Sequence, residues 1–415
     1  MRLGVSQDHR RTVRAMRRAG VVASVLAVAG LTLSTAAHAN PAVSLDPTFG
    51  SGGVASAGPG GGPTSVTQPD GKVLLLAAVF DSAGHQHWFL ARLTSAGQLD
   101  SSFGTGGRVC LPTTSPGAET GLALDRSGRI IVSGNVTTPE GGDTTVVLRR
   151  LPDGRSDPTF GDDGSVQMAL TGPQQRGLGV LASGEIIVEG SSSIVSLSSA
   201  GAELGEITPP FVPGAGGAGV LVQGNKFVVA GGTVANNVVE LERYTSSLAP
   251  DPDFNDGQPV VETFTGVASA VPNALIGQRD DSIIMAGNYG STPPANVFVF
   301  RYHSNGAEDP SLRYTGQPLN TGPYDAHPAG AVSEPDNSLI VMIGDNPSEA
   351  AELMRFNPDG TQDLTFGTGG LFAVQLDGAA PVEGMSAYSA GKVIVVGQTA
   401  ARSHPDVLAG RFLVG

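Results

Sequence analysis

Three histidines stand out as residues able to do chemistry. His85 lies seven positions before Arg92 and His404 seven before Arg411, while His87 and Asp406 each lie five before the same arginines. The two segments are therefore copies of one loop. Imidazoles and a carboxylate gathered from such loops make a two-His-plus-carboxylate set suited to a divalent cation. His85, His87 and His404 are the metal-ligating expectation, and no motif calls for any other cofactor. A second group is aromatic. Tyr289, Tyr324 and His327 offer ring faces that can stack on a sugar or a peptide. Solvated loop histidines and single exposed aromatics are also the ordinary state of these residue types. The chain has no Gly-x-Ser-x-Gly elbow, no His-Glu-x-x-His helix and no phosphate loop, which removes the commonest hydrolase and nucleotide chemistries. Loop acids such as Asp81, Glu140 and Asp325 leave carboxylate chemistry open.

These residues must be positioned by something regular, and the chain is regular. Leu45-Asp46-Pro47-Thr48-Phe49-Gly50 returns as Leu99-Asp100-Ser101-Ser102-Phe103-Gly104, as Ser156-Asp157-Pro158-Thr159-Phe160-Gly161, and as Gln362-Asp363-Leu364-Thr365-Phe366-Gly367. A second phrase pairs a polar turn with a β-branched run and a Gly stop, as in Asp70-Gly71-Lys72-Val73-Leu74 and Ser127-Gly128-Arg129-Ile130-Ile131. Its seven copies turn at positions 71, 128, 184, 224, 281, 337 and 391. Each repeat reads as a strand, a tight turn, a second strand, a third strand, the Phe-Gly turn and a fourth strand. Calling these strands A to D, the expectation is all-β: a seven-bladed β-propeller of four-stranded antiparallel blades. The chain enters on a lone D strand near Val54 and leaves on a C strand, Leu408 to Val414. The N-terminal and C-terminal strands are therefore expected to pair in one blade and close the ring, which removes open sheet edges.

The Leu-Asp-x-x-Phe-Gly-x-Gly-Gly phrase, together with the Asp-Gly-Lys-Ile-type hairpin, resembles the delta-60 repeat over nearly all of residues 45–415. That resemblance implies an exported bacterial β-propeller of unknown function, and it brings no catalytic residues with it.

An internal comparison suggests what fixes the repeat. Strand C carries Arg92, Arg150, Arg243, Arg301, Arg355 and Arg411, with Ser196 in the third blade. The Phe-Gly turn carries Asp46, Asp100, Asp157, Asp251, Asp309 and Asp363, and the third blade lacks it. Arginine and aspartate are lost together. The expected pairs are Arg92 with Asp100, Arg150 with Asp157, and Arg411 with Asp46 across the closure. The A–B and C–D turns share one rim. The B–C and D–A loops vary and share the other, which is where a binding surface is expected.

Residues 1–39 read as a secretory signal peptide, with a basic start, an apolar run from Val21 to Leu33 and an Ala37-His38-Ala39 cleavage site. The full chain has a net charge of −14, and residues 40–415 carry 18 basic against 37 acidic residues, a net of −19. Such a surface excludes nucleic acid as a partner on electrostatic grounds. No membrane span is expected in the mature chain. The single cysteine, Cys110, reads as a small buried hydrophobe. The expectation is an exported protein, periplasmic, secreted or on the cell surface, that acts as a binding or scaffold module for a glycan, a peptide or an envelope protein. A hydrolase or lyase with its site at the central channel mouth is the alternative, and a purely structural role is the third reading.

Overall fold

The computed structural model describes residues 43–415 except 83, 114–115, 138–142, 169, 171–174, 191, 211, 214–217, 233–236, 291–295, 317–326, 345–350, 377–381, 390 and 400–404. All described residues belong to the unit Asn40–Gly415. The signal-peptide residues, Tyr324, His404, Glu140 and Asp325 lie outside the described residues.

The repeat folds as seven antiparallel sheets, the seven-bladed propeller expected from the sequence. Blade 1 is made of Gly61–Thr67, Val73–Phe80, Gln86–Leu93 and Arg108–Cys110. Blades 2 to 6 span residues 116–168, 175–207, 212–263, 270–316 and 327–373. Blade 7 joins Val382–Ser389, Lys392–Gln398 and Asp406–Leu413 from the end of the chain to Val54–Pro59 from its start. The closing register sets Val54 opposite Gly410 and Ala55 opposite Ala409, and Ser44–Leu45 adds a second short pairing to the same C-terminal strand.

The first strand of each blade lies against the first strands of its two neighbours, so these seven strands form the inner ring. The second and third strands are sandwiched between blades, and their sequences show it. Val73 to Leu76, Ile130 to Val132 and Val393 to Val396 are buried on both faces. A strand covered on both sides reads as a continuous apolar run rather than an alternation. Between blades 1 and 2, for example, Leu74, Leu76 and Leu90 pack on Ile130, Val132 and Leu148. The fourth strand is outermost; in blade 1 it is only Arg108–Cys110, and Cys110 on it is exposed rather than buried. A three-residue outer strand has no further strand to cover it.

Each recurring arginine reaches forward from its own blade to the next. Its Nε donates to the blade's own turn aspartate at 2.6 to 2.9 Å in Arg92–Asp100, Arg149–Asp157, Arg243–Asp251, Arg301–Asp309, Arg355–Asp363 and Arg411–Asp46. Its Nη1 donates to a carbonyl of the following blade: Pro152, Ser199, Ser304, Pro358, Val414 and Ser95 in that order. The guanidinium lies over the phenylalanine of the turn in five of the six, 4.6 to 4.9 Å from the ring centre. Leu312 replaces that ring in blade 5. One side chain therefore fixes its turn and ties two blades together.

The partner of Asp157 is Arg149, not Arg150. The separation of arginine and aspartate along the chain is eight in every pair within one blade. Successive residues of a strand point to opposite faces, so Arg149 faces blade 3 with Ile131 while Arg150, opposite Ile130, faces blade 1.

Burial works against ionisation of Asp46 and Asp100. Hydrogen bonds to the ionised form outweigh it: Lys392 and Thr48 donate to Asp46, and Ser102 donates to Asp100. With the guanidinium beside each, both carboxyls are held well below the usual carboxylate range.

Candidate functional site

The variable rim is where site residues were expected, and a groove lies on the described part of it. His85 and His87 come together there through Asp81. The His85 ring Nδ1 lies 3.4 Å and the His87 Nε2 3.2 Å from Asp81 Oδ2. His87 Nδ1 sits 2.6 Å from the carbonyl of Thr113. A carbonyl only accepts, so Nδ1 carries the proton. Among the described residues no group of three His, Cys, Asp or Glu side chains is placed to hold a metal ion. Two imidazoles share one carboxylate instead, at the end of the second strand of blade 1.

The aromatic set is not gathered into a site by the described residues. Tyr289 is partly buried and stacks on Phe264 with ring centres 5.0 Å apart, packing on the core between blades 4 and 5. One of its faces is thus engaged. His327 is exposed at the start of the first strand of blade 6, paired along the backbone with Gly344.

Beside the histidines lies a groove of about 380 Å³ at the ring closure, lined by Pro59 to Gly62, Ala78 to Asp81, Gln86, Gln398 and Pro405. It forms because the two terminal segments meet there. The Gly60 to Gly62 run links the closing strand to the first strand of blade 1, and Gln398 comes from blade 7. Its walls are apolar and its polar groups are few: the carboxamides of Gln86 and Gln398, the Asp81 carboxylate and the glycine backbone. Phe80 stands on its edge with 68% of its surface exposed. Glu383, on the first strand of blade 7, lies beside Gly62, and burial pushes its carboxyl up to about 7. Sequence reading passed over Phe80, Gln86 and Gln398. The signal available was Phe80 itself, a large apolar residue placed after the buried run Val73 to Ala77 has ended.

Seven blades closed by strands from both ends of the chain define a β-propeller. Within it, residues 68–103 and 334–366 match a domain of unknown function (DUF5122) beta-propeller, a β-propeller family of unknown function. No curated protein matches the chain. Among solved structures, the chain is similar to a polysaccharide lyase of family PL25, an ulvan lyase bound to -[GlcA(1-4)Rha3S]-. The identity is 11%, the coverage 88% of this chain and 95% of that one, and the TM-score 0.51. The Pan2 WD40 domain of Neurospora crassa has 12% identity, covers 85% and 90%, and has a TM-score of 0.49. The likeness to the lyase is one of fold. Among the described residues no helix is long and apolar enough to cross a membrane.

Proposed function

We propose that the protein is an exported binding module that recognises a glycan through the groove at its ring closure. The leader-like residues 1–39 and the likeness of the Phe-Gly phrase to the delta-60 repeat fit export to the periplasm, the medium or the cell surface. The observation that carries the binding reading is Phe80. A ring two-thirds exposed, on the lip of a groove of about 380 Å³ with two carboxamides and a carboxylate inside it, is the arrangement that stacks on a sugar face and bonds its hydroxyls. A peptide or envelope protein would use the same groove through its backbone amides.

The test is thermal unfolding of the protein against a panel of neutral and acidic oligosaccharides and cell-wall peptides. A ligand at a hundred times its dissociation constant adds about 2.7 kcal/mol. A shift with one glycan class that Phe80→Ala removes supports the reading. A shift untouched by Phe80→Ala, or none with any glycan, overturns it.

One observation favours the hydrolase or lyase alternative. A carboxyl poised near 7 beside the groove, as Glu383 is, is suited to general acid–base work. Turnover of a bound oligosaccharide that Glu383→Gln abolishes, with binding retained, would assign that role.

A further inference from the structure

Arg150, freed from the role expected of it, forms no ion pair with a carboxylate among the described residues; Asp163 acts on it only through its charge. It is 8% exposed, and its Nε has no hydrogen-bond partner among the described residues. The other buried arginines, Arg92, Arg149, Arg243, Arg301 and Arg411, each hold an aspartate within 2.9 Å. Arg150 lines a cavity of about 560 Å³ between the outer edge of blade 1 and the C–D turn of blade 2, together with Arg108, Arg155, Phe89, Cys110 and Ser156. This cavity shares only Val79 with the groove at Phe80.

We propose that this cavity is a second binding site, for a small molecule bearing an oxyanion, and that Arg150 is the residue that pairs with its carboxylate, sulfate or phosphate group. A guanidinium cannot shed its proton at ordinary pH, and a buried charge without a counter-ion is costly. Burial bears on Arg150 and Arg108 alike, with Asp163 opposing it at Arg150 and Asp406 at Arg108. Arg108 is already engaged, donating to the carbonyl of Pro59 at 2.8 Å and lying 4.0 Å over Phe89. Arg155 is exposed and paired with Asp153 at 2.7 Å. Both enclose the cavity with positive charge, and of the three it is Arg150 that is buried and makes no side-chain hydrogen bond among the described residues. Three guanidinium groups around one hollow are out of keeping with a chain whose net charge is −14, which gives the site an attraction for anions that the surrounding surface lacks. The volume exceeds what one inorganic anion fills and suits a sugar-sized molecule.

The test uses the whole protein at constant ionic strength, titrated with sulfate, phosphate, glucuronate and, as the neutral control, glucose. Cys110 shares the cavity and is exposed, so its alkylation by iodoacetamide reports occupancy without any substitution. The expected result is that an oxyanion protects Cys110 while glucose does not, and that Arg150→Gln weakens binding by about tenfold or more. Tighter binding of glucuronate than of sulfate or phosphate assigns the site to a sugar acid. The reverse order assigns it to a free tetrahedral anion, and either supports the proposal. If Arg150→Gln does not fold, protection of Cys110 in the unaltered protein decides. Equal protection by glucose, no protection by any oxyanion up to roughly 10 mM, or unchanged affinity in a folded Arg150→Gln protein overturns it.

Discussion

Blades 4 and 5 meet through a guanidinium, and blades 3 and 4 meet without one. At the first seam, Arg243 holds Asp251 at 2.6 Å, donates to the carbonyl of Ser304 at 2.6 Å and covers Phe254. At the second, Ser196 takes the arginine's place, fully buried with a hydroxyl that has no partner among the described residues, and Gly205 stands opposite it on the fourth strand, Glu203–Ile207. The change extends into the next blade. In a latched seam the following blade offers a glycine at the phenylalanine ring. A Cβ on Gly154 would sit 2.6 Å from Val109 and 3.0 Å from Phe103, and its φ is +91°. Blade 3 has no such ring, and blade 4 carries Leu248 there instead, at φ 63° and 9% exposed. Leu248 fills the space the phenylalanine would have taken, against Gly205. At this seam arginine, aspartate, phenylalanine and the neighbour's glycine are lost together, whereas blade 5 gives up only the ring, to Leu312, and keeps Arg301 on Asp309. Contacts between turns cross this seam, with the Ala182 amide donating to the carbonyl of Gly224 and the Ser183 amide to the side-chain Oδ1 of Asn225, both at 2.8 Å. Acidic side chains also collect on its blade 4 side. Glu242 is buried, accepts from Tyr244 at 2.5 Å and lies near Glu240.

The largest effect is expected from breaking the latch that closes the ring. Arg411→Ala leaves Asp46 buried beside Lys392 and Thr48 alone, and Asp46→Ala leaves Arg411 buried without its carboxylate. Each should cost about 3–5 kcal/mol in denaturant unfolding. The double substitution should cost less than the sum. Strict additivity would mean that the two do not act as a pair.

A smaller difference should separate the two kinds of seam at the glycine position. Gly154→Leu combines overpacking with a strained φ and should cost about 3 kcal/mol. Leu248→Gly relieves strain while giving up apolar burial and should cost about 1 kcal/mol. Equal costs would show that Leu248 does not replace the missing ring.

The smallest effect is a difference of sign with pH. Asp100 has its pKa lowered on folding, so its contribution is full above about 3.8 and is lost as pH falls toward the folded value. Burial, reinforced by Glu240, raises Glu242 above its ordinary 4.5. Its contribution is full below that value and is lost as pH rises through the folded pKa. Glu242→Gln should therefore stabilise by about 1 kcal/mol at pH 8 and change little at pH 4.5. The cost of Asp100→Asn should shrink below pH 4. Melting curves across that range check both, and a pH-independent effect of Glu242→Gln would remove the buried acid from the account of this seam.

Much of the fold is legible before folding is considered, because the repeats can be laid against one another. The turn residues, the β-branched second strands and the joint loss in blade 3 are local patterns, and a closed ring is the arrangement that leaves none of the strands unpaired. The latch was legible in outline and misread by one residue at Arg149-Arg150, where two identical side chains stand in succession. The constant separation of eight would have chosen between them. The site was less legible. His85 and His87 do approach each other through Asp81, and Tyr289 has one ring face on Phe264.

The amino-acid sequence by itself determined the number of blades, the order of strands and the residue types of the latch, since each follows from laying repeats of about 57 residues against one another. Only the tertiary structure decided which face Arg150 turns to, that Leu248 stands in for an absent ring, and that Gly60 to Gly62 meet Gln398 in a groove. The first depends on strand register and the others on contacts between neighbouring blades, as far apart in the chain as its two ends. Spacing along a repeat carries no record of what the next blade, or the other terminus, brings to the same place.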